Sequence, residues 1–445
     1  MSRKSPLAVL VLAAGQGTRM KSRLAKMLHP LCGRPLLHYP LAVGEALAAE
    51  RLVVVVGRDA ETMRERFAGR ARFAEQSEQR GTGHAVLQAE AELEGFGGDL
   101  LVLYGDTPLL RAETLERMAE VKGETGADLV ILSGEIDVPG IIVRGSDGRL
   151  SRVVEASDAT PDELAIRERN TGVYLVGRDL LWKCLAQVDS DNAQGEIYLT
   201  AIVEILLAEG RQVEVLQLED DSEGIGVNTR ADLAAAATAM RARILNRLML
   251  EGVTVVDPAT TYIDVDVEIG QDTVIEPNCV IQGQTRIGEN CHVKAHCVIE
   301  SSSVANDVKI GPSAHLRPGT SLGDGVRIGN FVEVKNSQLA AGVKADHLSY
   351  IGDAEVGEGA SFGCGSITVN YDWRGKHRTS VAPGAVVGCN VNLIAPIKVG
   401  RNASIAAGST ITKDVPDDSL ALGRSRDQKH VAGWSRRKRP EDKLK

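Results

Sequence analysis

The chain has 445 residues, a formal net charge of −9 at pH 7, 43% hydrophobic residues and 3% aromatic ones. That length suits two or three domains. The acidic balance argues against a general nucleic-acid or membrane surface but leaves room for local basic pockets. No apolar run approaches the length of a membrane span. With three Trp and five Phe, small and β-branched side chains must fill much of the core.

The N-terminus, MSRKSPLAVLVLAAG, has the basic start and small-residue end of a signal peptide. Its direct continuation into the motif at Gly15–Arg19, which cleavage would make useless, argues against that reading. Seven cysteines without a CxxC pair fit free thiols in a reducing cytoplasm.

Residues 1–227 alternate strand-like and helix-like segments. Leu7–Leu12, Leu52–Val56, Leu100–Tyr104 and Leu129–Leu132 are the short apolar runs that buried parallel strands take. Helical patterns such as Pro35–Ala49 and Arg111–Lys122 lie between them. This order implies βαβ units, a Rossmann-like and mostly parallel sheet, and ligands at the carboxyl ends of the strands. VLVLAAGQGTRM at 9–20 places glycines just past the first strand, where backbone N–H groups can approach a phosphate. It is neither a dinucleotide fingerprint nor a P-loop, but Arg19 and Lys26 follow at once, two cations suited to a polyphosphate.

At Asn228-Thr229-Arg230-Ala231-Asp232 the pattern predicts a helix capped by Thr229 and Asp232. The helix runs to about Leu250, with Gly252 as its stop. It reads as an arm over 228–250 between two domains. From 251 to 445 the period becomes six. Ile269, Ile275, Ile281, Ile287, Val293 and Ile299 form one series. Ile310, Leu316, Leu322, Ile328 and Val334 form a second, and Val381, Val387, Leu393, Val399, Ile405 and Ile411 a third. A helix cannot keep such a series on one face, whereas a three-sided hexapeptide β-solenoid can. Cys279, Cys291 and Cys297 fall four places after an inward aliphatic, in a slot that otherwise carries Thr or Ala. The competing reading of CHVKAHC at 291–297 is a zinc site, which the register makes unnecessary. The spacing breaks between Val334 and Val356 and again between Phe362 and Val381, and both breaks are expected to be loops on a binding face. The first holds Lys335, His347 and Tyr350. The second, TVNYDWRGKHRTS, holds Asn370, Tyr371 and Lys376 and is long enough to reach a neighbour.

LAAGQGTRM with Lys26 resembles the signature of sugar-1-phosphate nucleotidyltransferases. With the hexapeptide half, the chain resembles the bifunctional UDP-N-acetylglucosamine pyrophosphorylase/glucosamine-1-phosphate N-acetyltransferases. The resemblance is carried from about residue 6 to 435 by QSEQRGTGHA, LYGDTP, RNTG, NAQGEIYLTA, GVNTR, LRPG, GNFVEVKN, DHLSYIGDAEVG and NYD, in that order. It implies an α/β nucleotidyltransferase domain joined by the arm to a left-handed parallel β-helix. The first half would join UTP to N-acetylglucosamine-1-phosphate. Leu12, Ala13, Ala14 and Gly15 would form the phosphate loop, with Arg19 and Lys26 steadying the triphosphate. Gln76, Gly81 and Thr82 would read uracil, with Tyr104 and Gly105 beside them. Asp106 and Asn228 would hold Mg²⁺, and Gly140, Glu155 and Asn170 the sugar.

The second half would acetylate glucosamine-1-phosphate from acetyl-CoA. Its base would be His347, with Glu333 orienting it or polarising the amine. Arg317, Lys335 and Lys376 would hold the sugar phosphate, with Tyr350 and Ser361 beside them. Cys364, Asn370, Tyr371, Cys389, Ala407 and Arg424 would contact acetyl-CoA. Ala25 stands where the family has proline, PGIIVRGSDG lacks the arginine that follows the glycine in the family's Gly-Arg-Ile/Val stretch, and Ser361 and Cys389 replace Asn and Ser. The resemblance also implies a cytoplasmic homotrimer with shared acetyltransferase sites. The basic tail RRKRPEDKLK is either a solvated end or a partner for cofactor phosphates. Two rivals are a nucleotidyltransferase of other specificity with a regulatory solenoid, and a non-catalytic assembly subunit. The Arg19/Lys26/Asp106 and His347/NYD sets oppose them.

Overall fold

The computed structural model describes residues 5–189, 195–424 and 430; the basic tail lies outside them. The chain divides into two compact units, Met1–Arg243 and Ile244–Lys445.

In the first unit a sheet gathers β1 (Leu7–Ala13), β2 (Arg51–Val56), β3 (Arg72–Glu75), β4 (Asp99–Tyr104), β5 (Leu129–Gly134), β6 (Gly140–Arg144), β7 (Leu150–Glu155), β8 (Arg169–Gly177) and β9 (Val213–Gln217). The order is β9-β5-β8-β4-β1-β2-β3, with β6 and β7 branching from β8. β1 pairs in parallel with both β2 and β4, and β9 with β5, whereas β8 runs antiparallel between β4 and β5. The sheet is therefore mixed but mostly parallel. Buried clusters cover both of its faces: Leu10, Leu12, Val53 and Val102 belong to one, and Val9, Val11, Val54 and Leu103 to the other. Burial on both faces is why these strands read as unbroken apolar runs. The predicted helix Pro35–Ala49 is shorter, His38–Ala46, because Pro30–Leu31 and Arg34–Pro35 pair as a small hairpin first.

The helix that follows Asn228 spans Arg230–Leu250. Thr229 Oγ1 accepts from Asp232 N at 3.2 Å, and Asp232 Oδ2 accepts from Thr229 N at 2.8 Å, completing the expected box. Gly252 stops the chain with φ +99°. The first part of this helix is anchored rather than free: Arg243 Nη2 donates to Ser222 Oγ at 2.8 Å and Arg230 Nη1 bonds His29 Nδ1 at 3.2 Å. The division between the two units falls inside the helix.

The second unit is a coil of three parallel sheets. Sheet 1 has ten strands, from Thr254–Val255 to Leu420–Ala421. Sheet 2 has nine, from Tyr262–Ile263 to Thr410–Ile411, and sheet 3 has eight, from Glu268–Ile269 to Ile397–Val399, among the described residues. Each strand pairs with its equivalent one coil away, as in Val274↔His292 and Arg286↔Ser303. This is a left-handed parallel β-helix of hexapeptide repeats. Every aliphatic of the three series is buried, from Ile269 at 8% exposure to Ile275, Val293 and Leu316 at 0%. Corners between sides use the left-handed region at Asp272, Asn278, Asn290 and Asn402, residue types that tolerate it.

Cys279, Cys291 and Cys297 point inside, where Cys279 Sγ meets Lys294 O at 3.3 Å and Cys291 Sγ meets Ala305 O at 3.1 Å. His292 faces outward onto Glu276 at 2.7 Å. The four candidate zinc ligands therefore diverge.

The first expected loop is absent. Between Val334 and Val356 the coil continues through Gln338–Leu339, Lys344–His347 and Tyr350–Gly352, with Leu339, Ala345 and Ile351 buried. Two corners are one residue short, so 22 residues cover four sides and the phase slips without an insertion. The second break is a true loop, closed by a Tyr371↔Lys376 bridge. Truncating one inward side chain should be costly wherever the coil is regular. Ile299→Ala is expected to lower unfolding free energy by about 2–5 kcal/mol in urea titration; a loss under 1 kcal/mol would contradict this packing.

Candidate active sites

In the first unit the loops after β1, β4 and the strands beyond converge on one cleft. Gly15 and Gly17 follow β1, and Gly17 has φ +62°, with a Cβ there meeting Lys26 Cβ at 2.8 Å. The glycine lets the loop lie flat against the turn carrying Lys26. Ala25 sits at φ −54°, within the range proline would impose, so the backbone path is kept without the ring. Lys26 Nζ reaches Asp106 Oδ2 at 2.5 Å and Asn228 Oδ1 at 3.1 Å. Val227 N donates to Asp106 O at 2.8 Å, so main chain also ties the loop after β4 to the start of the long helix. Three residues from distant parts of the sequence thus place two oxygens and one ammonium together.

A cavity of about 390 Å³ is lined by Leu12, Ala14, Gly15, Arg19, Lys26, Gln76, Gly81, Thr82, Tyr104, Asp106 and Asn228, together with Gln16, Gln79 and Glu196. Ala13 and Gly105 are buried behind it. Ala13 packs in the core on the other face of β1, and Gly105 lets Met27 Sδ approach to 2.9 Å of where a Cβ would sit. At the far end Gln76 is buried and Nε2 donates to Gly81 O at 3.1 Å. Gly81 has φ +101°, and a Cβ would meet Ile197 O at 2.6 Å.

A second cavity of about 360 Å³ shares Thr82, Tyr104, Asp106, Glu196 and Asn228 and adds Gly140, Glu155, Asn170, Tyr198 and Thr200. The two form one cleft. Asn170 is held from both sides: Nδ2 donates to Tyr174 Oη at 2.6 Å and Oδ1 accepts from Gly172 N at 3.0 Å. Gly140 lies against it, 3.1 Å from the place of a Cβ to Asn170 Cβ. Burial pushes the Glu155 carboxyl above the usual range, opposed by a hydrogen bond from Thr200. Burial likewise raises the Tyr104 phenol, with the Asp106 charge adding to it. Glu196, Tyr198 and Thr200 were not singled out from the sequence, although NAQGEIYLTA contains all three.

In the second unit the candidate residues occupy repeat positions. Two places after an inward residue of sheet 1 stand Asn330, His347, Cys364, Cys389 and Ala407, one per coil. Asn390 N donates to Cys364 O at 2.8 Å, Gly408 N to Cys389 O at 2.8 Å, and Arg424 Nη1 to Ala407 O at 2.7 Å. These residues run along one edge of the prism at about 4.8 Å per coil. Ser361 projects outward from the same sheet, between Lys344 and Val386.

Just past that edge, sheet 2 stacks Glu333 on Tyr350 and Lys335 on Gly352. Arg317 Nη1 donates to Glu333 Oε1 at 2.9 Å. The Lys376 ammonium beside Lys335, and then burial, lower the Lys335 amine; two adjacent ammonium groups form a seat for an anion. Asn370 Nδ2 donates to Asp353 Oδ2 at 2.5 Å and to Tyr350 Oη at 3.3 Å. Tyr371 and Trp373 contact each other at the loop tip, 52% and 89% exposed.

His347 does not turn to Glu333. Its Nδ1 is 2.7 Å from Asn330 Oδ1, because these two residues pair across adjacent coils. Sequence reasoning passed over Asn330. Its signal is its place, the same second position as His347, one coil earlier.

Residues 9–198 match the MobA-like NTP transferase domain family, and 266–301 and 301–336 match the bacterial transferase hexapeptide family. Curated relatives match both units at once. The bifunctional protein GlmU of Trichlorobacter lovleyi is 47% identical over 97% of this chain and 98% of its own length. That of Geobacillus thermodenitrificans is 48% identical over 94% and 95%, and that of Listeria monocytogenes serotype 4a is 45% identical over 96% and 97%. This chain belongs to the GlmU family. It is a bifunctional transferase with a nucleotidyltransferase unit and a hexapeptide acyltransferase unit. Among the described residues no helix is long and apolar enough to cross a membrane.

The cleft makes a titration prediction. A carboxyl raised by burial is harder to ionise folded than unfolded, so it subtracts stability once pH exceeds its unfolded pKa. Glu155→Gln is therefore expected to stabilise the protein at neutral pH, and the gain should fade as pH drops into the ordinary carboxylate range. Thermal unfolding midpoints of both proteins across pH would show this; a gain that grows on acidification would contradict it.

Proposed function

We propose that the two units carry out successive steps of UDP-N-acetylglucosamine synthesis, a precursor route for cell-wall polymer. The single observation that carries this is the coexistence of two differently built charged sites in one chain: the Lys26–Asp106–Asn228 group, with one cation and two oxygen donors, and the Lys335–Lys376 pair.

In the second unit, the amine of glucosamine-1-phosphate attacks the thioester carbon of acetyl-CoA. The N–C bond forms, the C–S bond breaks, and the amine proton passes to His347 Nε2 and on to the departing CoA thiolate. Lys335, Lys376 and Arg317 hold the sugar phosphate, while Glu333, Tyr350, Asn370 and Tyr371 surround the acceptor. The edge of Cys364, Cys389, Ala407 and Arg424 is the groove for acetyl-CoA. It lies along the coil axis, as an elongated cofactor requires.

In the first unit, a phosphate oxygen of N-acetylglucosamine-1-phosphate attacks the α-phosphorus of UTP. One P–O bond forms, the α–β bridge breaks, and pyrophosphate leaves. The nucleophile is already anionic, so positioning and charge neutralisation dominate. Lys26 and Arg19 steady the triphosphate, and the Gly15–Gly17 loop offers N–H groups. Gln76, Gly81 and Thr82 read the uracil edge, and Gly140, Glu155 and Asn170 hold the sugar. The Asp106 and Asn228 oxygens converge on one cation, the Lys26 ammonium, and as hard oxygen donors these two residues would hold Mg²⁺. Bound there, Mg²⁺ supplies charge neutralisation on the reacting phosphates.

The exposed Tyr371–Trp373 tip suits a neighbouring copy, in a cytoplasmic homotrimer that shares acetyltransferase sites. Sedimentation at micromolar concentration is expected to give three chains; a monomer with full acetyltransferase activity would overturn shared sites.

Separate pockets predict separable losses. His347→Ala is expected to lower acetyl transfer by about 10²–10⁴-fold and leave uridylyl transfer within twofold. Asp106→Ala is expected to do the reverse. Assays with UTP, Mg²⁺, acetyl-CoA and glucosamine-1-phosphate read both. Retained acetylation in the first variant, or retained pyrophosphate release in the second, would refute the assignment.

A further inference from the structure

Asn330 ends the strand Arg327–Asn330, and His347 ends Lys344–His347. Both strands are four residues long, whereas most of their neighbours in sheet 1 are two. The extra pairing reaches the corner itself and sets Asn330 opposite His347. Two features produce this local lengthening. At Gly329 a Cβ would stand 1.8 Å from Asp346 O, a distance no side chain survives, so only glycine lets the two strands approach this closely. Arg327 Nη2 pairs with Asp346 Oδ1 at 3.2 Å, clamping the same two strands from outside.

The chain then turns sharply after both residues. Phe331 has φ +56° and Leu348 φ +44°, a left-handed conformation that costs a bulky residue roughly 1–2 kcal/mol. Corners elsewhere in the coil give this position to Asn, Asp, Ser, His or Gly, and of all the corners only these two carry a large apolar side chain. Leu348 N donates to Asn330 O at 3.0 Å, so the turn carrying His347 is latched to the backbone of Asn330 as well as to its side chain. Strain held at two successive coils, beside the one imidazole of this edge, marks a place where geometry is imposed.

We infer that Asn330 is the positioning residue of the acetyltransferase base: its side-chain oxygen holds the ring of His347 and dictates which nitrogen carries the proton. The inference rests on His347 being that base. An amide oxygen only accepts, so the 2.7 Å contact requires a proton on Nδ1. The lone pair is then on Nε2, the ring's far side, where an incoming amine can deliver its proton. The amide oxygen thus sets the tautomer by geometry, through the contact at Nδ1. Charged groups around the pair are the Arg327–Asp346 ion pair on the same two strands and Arg317, Glu333 and Lys335 on sheet 2, with Tyr350 above Glu333. Glu333 is engaged by Arg317. On Cys364, Cys389 and Ala407, the later residues of the edge, no permanent charge is present.

The test uses the full-length protein and three variants, with uridylyl transfer and thermal unfolding as controls for folding. Asn330→Ala is expected to lower the acetyltransferase kcat by about 10- to 100-fold, with KM for glucosamine-1-phosphate within twofold, because the lost contact touches the base and not the sugar. Asn330→Asp keeps an acceptor at the same place. It is expected to recover most of the rate at alkaline pH and to move the acidic limb of the kcat–pH profile upward by about one unit. His347→Ala serves as the reference for losing the base itself. An Asn330→Ala enzyme with unchanged kcat beside an inactive His347→Ala enzyme would overturn the positioning role alone. An active His347→Ala enzyme would instead overturn the base assignment on which it rests. An Asn330→Asp enzyme whose pH profile matches the parent would also count against the contact, since a carboxylate in that place must be felt by the ring.

Discussion

Parallel pairing of each residue with its counterpart one coil away is the constraint that organises the second unit. It stacks like on like: aliphatics fill the interior, and whatever stands two places later on sheet 1 is displayed along an edge. Chemistry is therefore written in rows. The row Asn330, His347, Cys364, Cys389, Ala407 is one line of text read across five coils, and the Glu333–Tyr350 stack beside it is another. Fixing the interior also fixes these rows. A side chain on such an edge inherits the rigidity of a scaffold whose strands, the first and last of each sheet apart, are bonded on both sides, which suits a site that must align two substrates.

The first unit solves the same problem differently. Its polar groups stand on loops beyond the carboxyl ends of a buried sheet, where the strands cannot align them by repetition. Alignment comes from cross-links between loops. Lys26 bridges Asp106 and Asn228, Val227 N binds Asp106 O, and Leu199 N binds Thr82 Oγ1 at 3.0 Å. Glycines make those approaches possible where a Cβ would intrude, at Gly17 and Gly81 above all.

Much of this was legible in the sequence, for reasons that differ between the halves. Hexads survive in one dimension because the solenoid repeats in one dimension, so the inward residues, the inward cysteines and the loop within TVNYDWRGKHRTS follow from counting. The count failed between Val334 and Val356, where two shortened corners mimic an insertion; spacing alone cannot tell a missing residue from an added loop. β1, β2, β4 and β5 were legible as apolar runs, but β6 and β7 were not, being a partly buried antiparallel branch in which buried and exposed residues do not alternate regularly. Asp106 and Asn228 stand 122 positions apart in the sequence, and nothing in their spacing announces that they meet. Resemblance to a family supplied that pairing; in the structure both oxygens reach Lys26 Nζ. Asn330 was missed since a lone amide after a glycine reads as turn chemistry, whereas its coil number is what gives it meaning.

The same one-dimensional build bears on two departures from the family pattern, Cys389 on the edge and Ser361 on the outer face of sheet 1. Each sits on an outward position whose neighbours are held by backbone bonds, such as Ser361 N to Ala385 O at 2.9 Å and Gly408 N to Cys389 O at 2.8 Å. A changed letter at such a rung leaves the rungs above and below standing. An outward row can therefore be changed one coil at a time, and the thiol at 389 is a local edit on a frame it has no power to bend.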